Sequence, residues 1–451
     1  MPIPSVQTAH PADRPLKGLI NVPGDKSISH RALIFGALCV GETAIHDLLE
    51  GEDVLATAQA LQSYGARIER DDGGVWRING VGIGGLMPPR DVLDLGNSGT
   101  GARLLLGLAA SHGLTSVFTG DASLRQRPMQ RVITPLAEMG AAFEAAPGGR
   151  LPLTVRGRDS LMPVEYQPPV ASAQIKSAVL LAGLNTPGQT TVIEATPTRD
   201  HTEHLLRHFG ADVEITEDSG GNRRITLTGR PELRPQTVRV PGDPSSAAFP
   251  IAAALLVPGS EITVKGVGLN PLRAALFDTL REMGAIIWET NRRMDQGEPI
   301  ADLEVRTGPL RGIEVPPDRA PSMIDEYPVL AAIAAHATGP TVMRGIAELR
   351  VKESDRIAAM ATGLKSLGVE VEELDDGMIV HGNGGHGGPP PARRDARVET
   401  EMDHRIAMSF LVYGLGAQAP VKVSGCEMIE TSFPGFAKLM NGLGGRIEAA
   451  P

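Results

Sequence analysis

The sequence predicts an α/β fold of six βαβαββ-like repeat units, three in each of two lobes. Three observations carry this. First, Val22-Pro23-Gly24-Asp25 with Ser27 and Ser29 recurs as Val240-Pro241-Gly242-Asp243 with Ser245 and Ser246. Both copies lead into an Ala/Leu-rich run and then into Gly41-Glu42-Thr43 or Gly259-Ser260-Glu261. Second, six helix-like runs end at a glycine followed by strand-like alternation, at Gly65, Gly140, Gly210, Gly284, Gly368 and Gly444. These stops lie roughly 70 to 84 residues apart, the signature of an internal repeat. Glycine at each supplies the left-handed turn that ends a helix, and runs such as Ala66-Arg67-Ile68-Glu69 then begin a strand. Third, upstream of each stop lies a small-residue helix with a polar start, followed by a strand of the type Thr190-Thr191-Val192-Ile193. The expected lobes are residues 22–239 and a discontinuous lobe of 1–21 plus 240–451, with the active site in the cleft between them.

Composition narrows the function classes. The 451 residues suffice for two or three well-buried domains. Aromatic residues are only 3%, so the cores must be built from Ala, Val, Leu and Ile. A net charge of −10 argues against a nucleic-acid binder but leaves room for a focused cationic cleft. Cys39 and Cys426 sit in apolar stretches and read as buried free thiols. CxxC, HExxH and EF-hand patterns are absent, so neither a metal site nor a cofactor is expected. The N-terminal stretch has no apolar signal-like core and no run is long enough to span a membrane, which fits a cytoplasmic protein. The first 14 residues fit disorder. Gly382-Asn383-Gly384-Gly385-His386-Gly387-Gly388 with Pro389-Pro390-Pro391 fits a surface loop between two strands.

The starts of the small-residue helices carry the functional signal. They are Asp25 to Arg31, Gly96 to Thr100, Ala171 to Lys176, Asp243 to Ser246, Ser322 to Glu326 and Met402 to Arg405. N-capping accounts for Asp243, Ser245 and Asp403, because such side chains satisfy the free amides of a first turn. It does not account for Lys26, Arg31 and Arg405, since the helix dipole disfavours cations there. Arg125-Gln126-Arg127-Pro128 and Arg350-Val351-Lys352-Glu353-Ser354-Asp355-Arg356 show the same conflict. Taken singly, each cluster reads as a solvated charged face. At equivalent points of one repeated scaffold, they read as a convergent anion site.

These residues also carry a resemblance. Pro23-Gly24-Asp25-Lys26-Ser27-Ile28-Ser29-His30-Arg31, Leu95-Gly96-Asn97-Ser98-Gly99-Thr100, Arg350 to Arg356 and Asp403-His404-Arg405-Ile406-Ala407-Met408 resemble, in order, the signatures of the 5-enolpyruvylshikimate-3-phosphate (EPSP) synthase family. The match runs from about residue 18 to 448, and the form resembled is the bacterial class II type, with its longer N-terminal stretch. The resemblance implies the two-domain enolpyruvyl transferase fold. It also implies transfer of the enolpyruvyl group of phosphoenolpyruvate to the 5-hydroxyl of shikimate 3-phosphate, a step toward chorismate and the aromatic amino acids. By matching position, Lys26, Ser27, Arg31, Ser172, Ala173, Gln174, Arg199, Asp325 and Lys352 would bind shikimate 3-phosphate. Lys26, Asn97, Gly99, Arg127, Gln174, Arg356 and Arg405 would bind phosphoenolpyruvate. Asp325, Glu353 and Lys26 would be catalytic: Asp325 accepting the hydroxyl proton, Glu353 exchanging a proton with the methylene carbon, Lys26 touching both substrates. Closure of the lobes, hinged near residues 22–25 and 239–243, would exclude water. A monomer and a target of the herbicide glyphosate are also implied.

Two departures from the family pattern stand out. Thr431, in Glu430-Thr431-Ser432-Phe433-Pro434, stands where many members have a lysine that helps hold phosphoenolpyruvate, and Ala173 replaces a frequent serine. Two rival readings fit these residues less well. The enolpyruvyl transferase acting on UDP-N-acetylglucosamine carries a loop cysteine, and the matching stretch Gly120 to Arg127 has none. A non-catalytic repeat scaffold would leave Lys26, Asp325 and Glu353 unexplained.

Overall fold

The computed structural model describes residues 4–383 and 397–450. The chain divides into two compact units. One is continuous but for a short addition, Gly24–Val240 with Met294–Glu298; the other comprises Met1–Pro23, Pro241–Arg293 and Pro299–Pro451. The segment Met294–Glu298, expected in the discontinuous lobe, groups instead with the continuous unit.

Six four-stranded sheets are present among the described residues, all with one plan. A two- to five-residue edge strand pairs parallel with its neighbour, a third strand pairs antiparallel with that neighbour and a fourth lies on the far edge. In three sheets the chain runs through a unit without interruption, as in Glu165–Tyr166, helix Ala173–Leu184, Gln189–Glu194, helix His201–His208, Val213–Glu217 and Arg223–Thr228.

In each of the other three sheets one strand comes from a distant part of the chain. Lys17–Asn21 precedes the first helix in sequence yet pairs parallel with Glu261–Gly268 of the second half. Thr237–Arg239 precedes the fourth repeat yet pairs parallel with Val40–His46 of the first. The sixth sheet takes an inner strand from the N-terminus: Val6–His10 lies between Val421–Ser424 and Arg446–Ala449, antiparallel to both. Part of the N-terminal stretch is therefore a core strand, and Ala9 is fully buried. The stretch gives little warning, since period-two alternation over five residues is a weak signal.

The helix stops lie where the glycines predict. Gly65, Gly140, Gly210, Gly284, Gly368 and Gly444 have φ of 101°, 110°, 95°, 99°, 90° and 111°, which only glycine adopts without strain. Each repeat contributes a buried first helix and an amphipathic second one. Pro244–Leu256 and His404–Gly416 are buried along their whole length. Each unit has its own apolar core of mainly Ala, Val, Leu and Ile. Of the glycine- and proline-rich loop, only Gly382 and Asn383 are described, at the end of a strand; the rest lies outside the described residues. Among the described residues, no helix is long and apolar enough to cross a membrane.

Candidate functional site

In the continuous unit, three helix starts hold the predicted residues. Asp25 caps the helix Lys26–Ala37 by accepting from the Ile28 amide at 2.8 Å, so Lys26 is its first residue. Gly24 makes the entry possible: a Cβ there would stand 2.1 Å from the Asp47 carbonyl oxygen. Lys26 Nζ donates to Asp53 Oδ2 at 2.9 Å, a carboxylate the sequence reading missed because an acid in a first helical turn looks like ordinary dipole matching. Arg31 is buried in the same helix. Its guanidinium donates to the Ser27 carbonyl at 2.9 Å, to Thr202 Oγ1 at 2.6 Å and to Ser177 Oγ at 2.7 Å. Burial pushes its pKa down to about 10, against the opposing pull of Glu203 and Asp25. Arg199 lies close enough to add to the lowering.

Ser98 caps the helix Gly99–Ala110, and Ser172 caps Ala173–Leu184. Arg127 Nη2 donates to Asn97 Oδ1 at 2.6 Å and Ser123 Oγ at 3.1 Å, while Asn97 Nδ2 donates to Asp121 at 2.6 Å. Gln174 Nε2 donates to Thr100 Oγ1 at 3.0 Å and so joins the second and third helix starts. Ala173 is the first residue of its helix and has no polar side chain to contribute.

In the discontinuous unit, Arg356 is the centre. It opens the helix Arg356–Ser366 and is 1% exposed, yet three carboxylates meet it. Nε donates to Asp403 Oδ2 at 2.7 Å, Nη2 to Glu353 at 2.6 Å and Nη1 to Asp325 at 3.3 Å. Burial alone would lower its pKa, but the charges of Asp403, Glu353 and Asp325 outweigh that and hold it above the usual arginine value. Asp403 is fully buried; burial opposes its ionisation, and Arg356 nevertheless holds its carboxyl below the usual range. Lys352 Nζ is 2.7 Å from Glu348 and 4.0 Å from Asp325. Asp325 sits in a short 3-10 turn, Ile324–Glu326, ahead of the helix Tyr327–Ala334, and does not cap it. Arg405 Nη1 donates to the Asp325 carbonyl at 3.1 Å and to Glu326 Oε1 at 3.3 Å.

Capping holds for Asp243 and Asp403, which accept from the Ser245 and Arg405 amides. It fails for Ser245. That hydroxyl bonds Arg273 and Glu326, whose own ion pair measures 3.0 Å. Arg273 carried no signal in the sequence, since it stands in an ordinary apolar run, and Glu326 reads there only as part of the polar start Ser322 to Glu326. Thr431, in the lysine position of the family pattern, is buried and gives its hydroxyl to the Met428 carbonyl at 2.7 Å.

Both cysteines are buried free thiols, and burial pushes each up to about 12, which disfavours the thiolate a nucleophile needs. Among the described residues, Asp200, His204 and Glu298 bring possible metal-ligand atoms within 4.8 Å of one another. Opposite ring nitrogens of His204 face Asp200 and Glu298, each at 3.4 Å, and Arg223 meets Asp200 at 3.2 Å. Hydrogen bonds that His204 donates to Asp200 and Glu298 raise its pKa to about 10, which favours an imidazolium between carboxylates over a metal ligand.

The profile of EPSP synthase (3-phosphoshikimate 1-carboxyvinyltransferase) matches residues 11–440. The 3-phosphoshikimate 1-carboxyvinyltransferase of Parvibaculum lavamentivorans is 62% identical over 437 residues, covering 97% of this chain and 96% of its own. That of Rhodospirillum rubrum is 58% identical over 450 residues, covering 99% of each. Among solved structures, an EPSP synthase from Acinetobacter baumannii is 44% identical, with TM-score 0.87 over 99% of this chain and 100% of that one. The enolpyruvyl transferase NikO from Streptomyces tendae shares the fold at 20% identity and TM-score 0.74, covering 99% of both chains. With a profile match along nearly its whole length and relatives this similar, the chain belongs to the EPSP synthase family.

Proposed function

We propose that this chain transfers the enolpyruvyl group of phosphoenolpyruvate to the 5-hydroxyl of shikimate 3-phosphate, releasing phosphate, in the shikimate route to aromatic amino acids. The observation that carries the site assignment is the Arg356 guanidinium held among Asp325, Glu353 and Asp403. A buried cation with several carboxylates within reach is suited to exchange one of them for an incoming anion. Phosphoenolpyruvate, anchored by Arg356, Arg405, Arg127, Lys26 and the Asn97, Gly99 and Gln174 helix starts, takes Glu353's place on the guanidinium. That frees Glu353 to hold a proton.

In the addition step, Glu353 delivers this proton to the methylene carbon of phosphoenolpyruvate. The 5-hydroxyl oxygen bonds to the adjacent carbon, and its proton passes to Asp325. In the elimination step, the C–O bond to phosphate breaks, Asp325 passes the hydroxyl proton on to the departing phosphate and the methyl group returns a proton to Glu353. Lys26 and the arginines stabilise the intervening anionic intermediate as preorganised charges. Lys26, Ser27, Arg31, Ser172, Ala173 through its backbone, Gln174, Arg199 and Lys352 hold shikimate 3-phosphate, with Asp325 on its hydroxyl. Thr431 supplies no charge, so more of the anchoring of phosphoenolpyruvate falls on Arg127, Arg356, Arg405 and Lys26.

Within the family, the longer N-terminal stretch favours the bacterial class II type. The two reduced, buried thiols suit a cytoplasmic protein, and we read it as a monomer and a glyphosate target. Phosphate release on mixing the protein with both substrates is the direct test. No release, or release only when UDP-N-acetylglucosamine replaces shikimate 3-phosphate, refutes the proposal.

A further inference from the structure

Lys176 entered the sequence reading only as the end of a polar helix start, and the proposed chemistry gives it no task. It is the fourth residue of the helix Ala173–Leu184 and is fully buried. An ammonium so placed is costly, several kcal/mol after relaxation, unless it is paired and hydrogen-bonded. Its Nζ lies 2.8 Å from Glu203 Oε1, 3.1 Å from Glu194 Oε2 and 3.1 Å from the Thr198 carbonyl oxygen. Glu194 ends the strand Gln189–Glu194, Thr198 lies in the following turn and Glu203 is in the helix His201–His208. One ammonium thus fastens the start, middle and end of residues 194–203 to the helix that Ser172 caps. The Thr198 hydroxyl also bonds the Glu194 carboxylate, which closes the turn on itself.

What this fastening holds is specific. Arg199 directly follows Thr198. Thr202, in the same segment, accepts from Arg31 Nε at 2.6 Å and meets Ser177 Oγ at 2.7 Å. Ser177 is Lys176's neighbour and accepts from Arg31 Nη2 at 2.7 Å. Arg31, Ser177 and Thr202 therefore form one buried polar cluster that ties the Lys176 helix to the segment carrying Arg199, while Ser172, Gln174 and Arg199 themselves are half-buried. A bare structural staple would be served as well by apolar residues of similar volume, which often replace buried ion sets without loss of stability. Apolar packing would not fix the Thr198 carbonyl, and with it the direction of Arg199.

We propose that Lys176 is a positioning residue for shikimate 3-phosphate, holding the Arg199 segment against the Ser172–Gln174 helix start so that Arg199 and Arg31 meet the substrate already assembled. This rests on the proposed function, and wild-type turnover separates the two: without phosphate release from both substrates, that reading fails whatever Lys176 does. Given wild-type turnover, Lys176→Met raises KM for shikimate 3-phosphate about tenfold or more, while kcat and KM for phosphoenolpyruvate stay within about threefold. Should the single variant fail to fold, Lys176→Met with Glu203→Gln removes the unbalanced charge and is measured the same way. A folded variant with KM for shikimate 3-phosphate within about twofold of wild type overturns the proposal. So does a fall in kcat with a parallel rise in both KM values, the mark of general loosening. If neither variant folds, amide exchange in the wild type decides. Residues 196–202 should be protected before substrate is added, and protection gained only with shikimate 3-phosphate overturns preassembly.

Discussion

Single side chains decide the chemistry, and two of them offer sharp tests. Lys26 opens its helix against the dipole and is held by Asp53 at 2.9 Å. Lys26→Met keeps the stem but removes the charge. We expect turnover to fall at least about a thousandfold with the circular dichroism spectrum unchanged, because a preorganised charge at the reacting centre is worth several kcal/mol. Near-normal turnover would remove Lys26 from the mechanism. Gly99 is the second case. A methyl there would stand 2.9 Å from Arg103 Nη1 and 3.1 Å from Arg127 Nη1, the mobile ends of two arginines. Gly99→Ala therefore narrows the anion site by a few tenths of an ångström without breaking the helix. It should raise the glyphosate inhibition constant by about tenfold or more and KM for phosphoenolpyruvate less, since one methyl is typically worth 10- to 200-fold in discrimination. An unchanged inhibition constant would refute the crowding argument.

At the scale of elements, the helices that carry the site are also the ones that fill the cores. Caps such as Asp25, Ser98, Ser172, Asp355 and Asp403 aim first-turn amides outward while the helix bodies are buried. Burial has a cost where a titratable group is included. His336 lies just beyond the helix Tyr327–Ala334, with its ring 4.8 Å from Tyr413, and burial pushes its pKa down to about 4. The unfolded chain takes up a proton on this ring near pH 6.5, whereas the folded chain does so only near pH 4. Stability is therefore lost as pH falls through that window and is fully present above it. His336→Leu should lessen the loss between pH 7 and pH 4 by up to about 3 kcal/mol, read by urea unfolding at each pH. An identical pH dependence in variant and wild type would show that the ring takes up its proton as readily in the fold as in the unfolded chain.

At the scale of the whole molecule, strand exchange determines which pieces of chain can fold alone. The unit spanning Gly24–Val240 holds three complete sheets, because Thr237–Arg239 returns to pair with Val40–His46. The other unit needs Val6–His10 and Lys17–Asn21 for two of its sheets. A fragment of residues 24–240 should fold cooperatively. A fragment of 241–451 should not, unless a peptide of residues 1–23 is supplied. Cooperative unfolding of 241–451 by itself would show that the N-terminal strands are dispensable. The same logic predicts that deleting residues 1–12 of the full chain unfolds this unit while leaving the other intact.

What could be read from the sequence is what local physics sets. Six glycines with φ near 100° end six helices because no other residue adopts that turn cheaply, so the stops and the repeat count were visible in one dimension. Cations in first helical turns, at Lys26, Arg356 and Arg405, stood out because capping and the helix dipole are local rules too. Partner choice was not visible. A strand such as Val6–His10 carries no label for the two strands it joins, since backbone pairing is nearly independent of sequence, and the edge of Val421–Ser424 left open by its own repeat lies more than 400 residues away. The buried partners that shape the site, Asp53, Lys176, Glu203, Arg273 and Glu326, look like caps or solvated charges when read along the chain. Only the folded molecule shows that they face one another, because the desolvation that gives each contact its strength exists only once distant segments have closed over it.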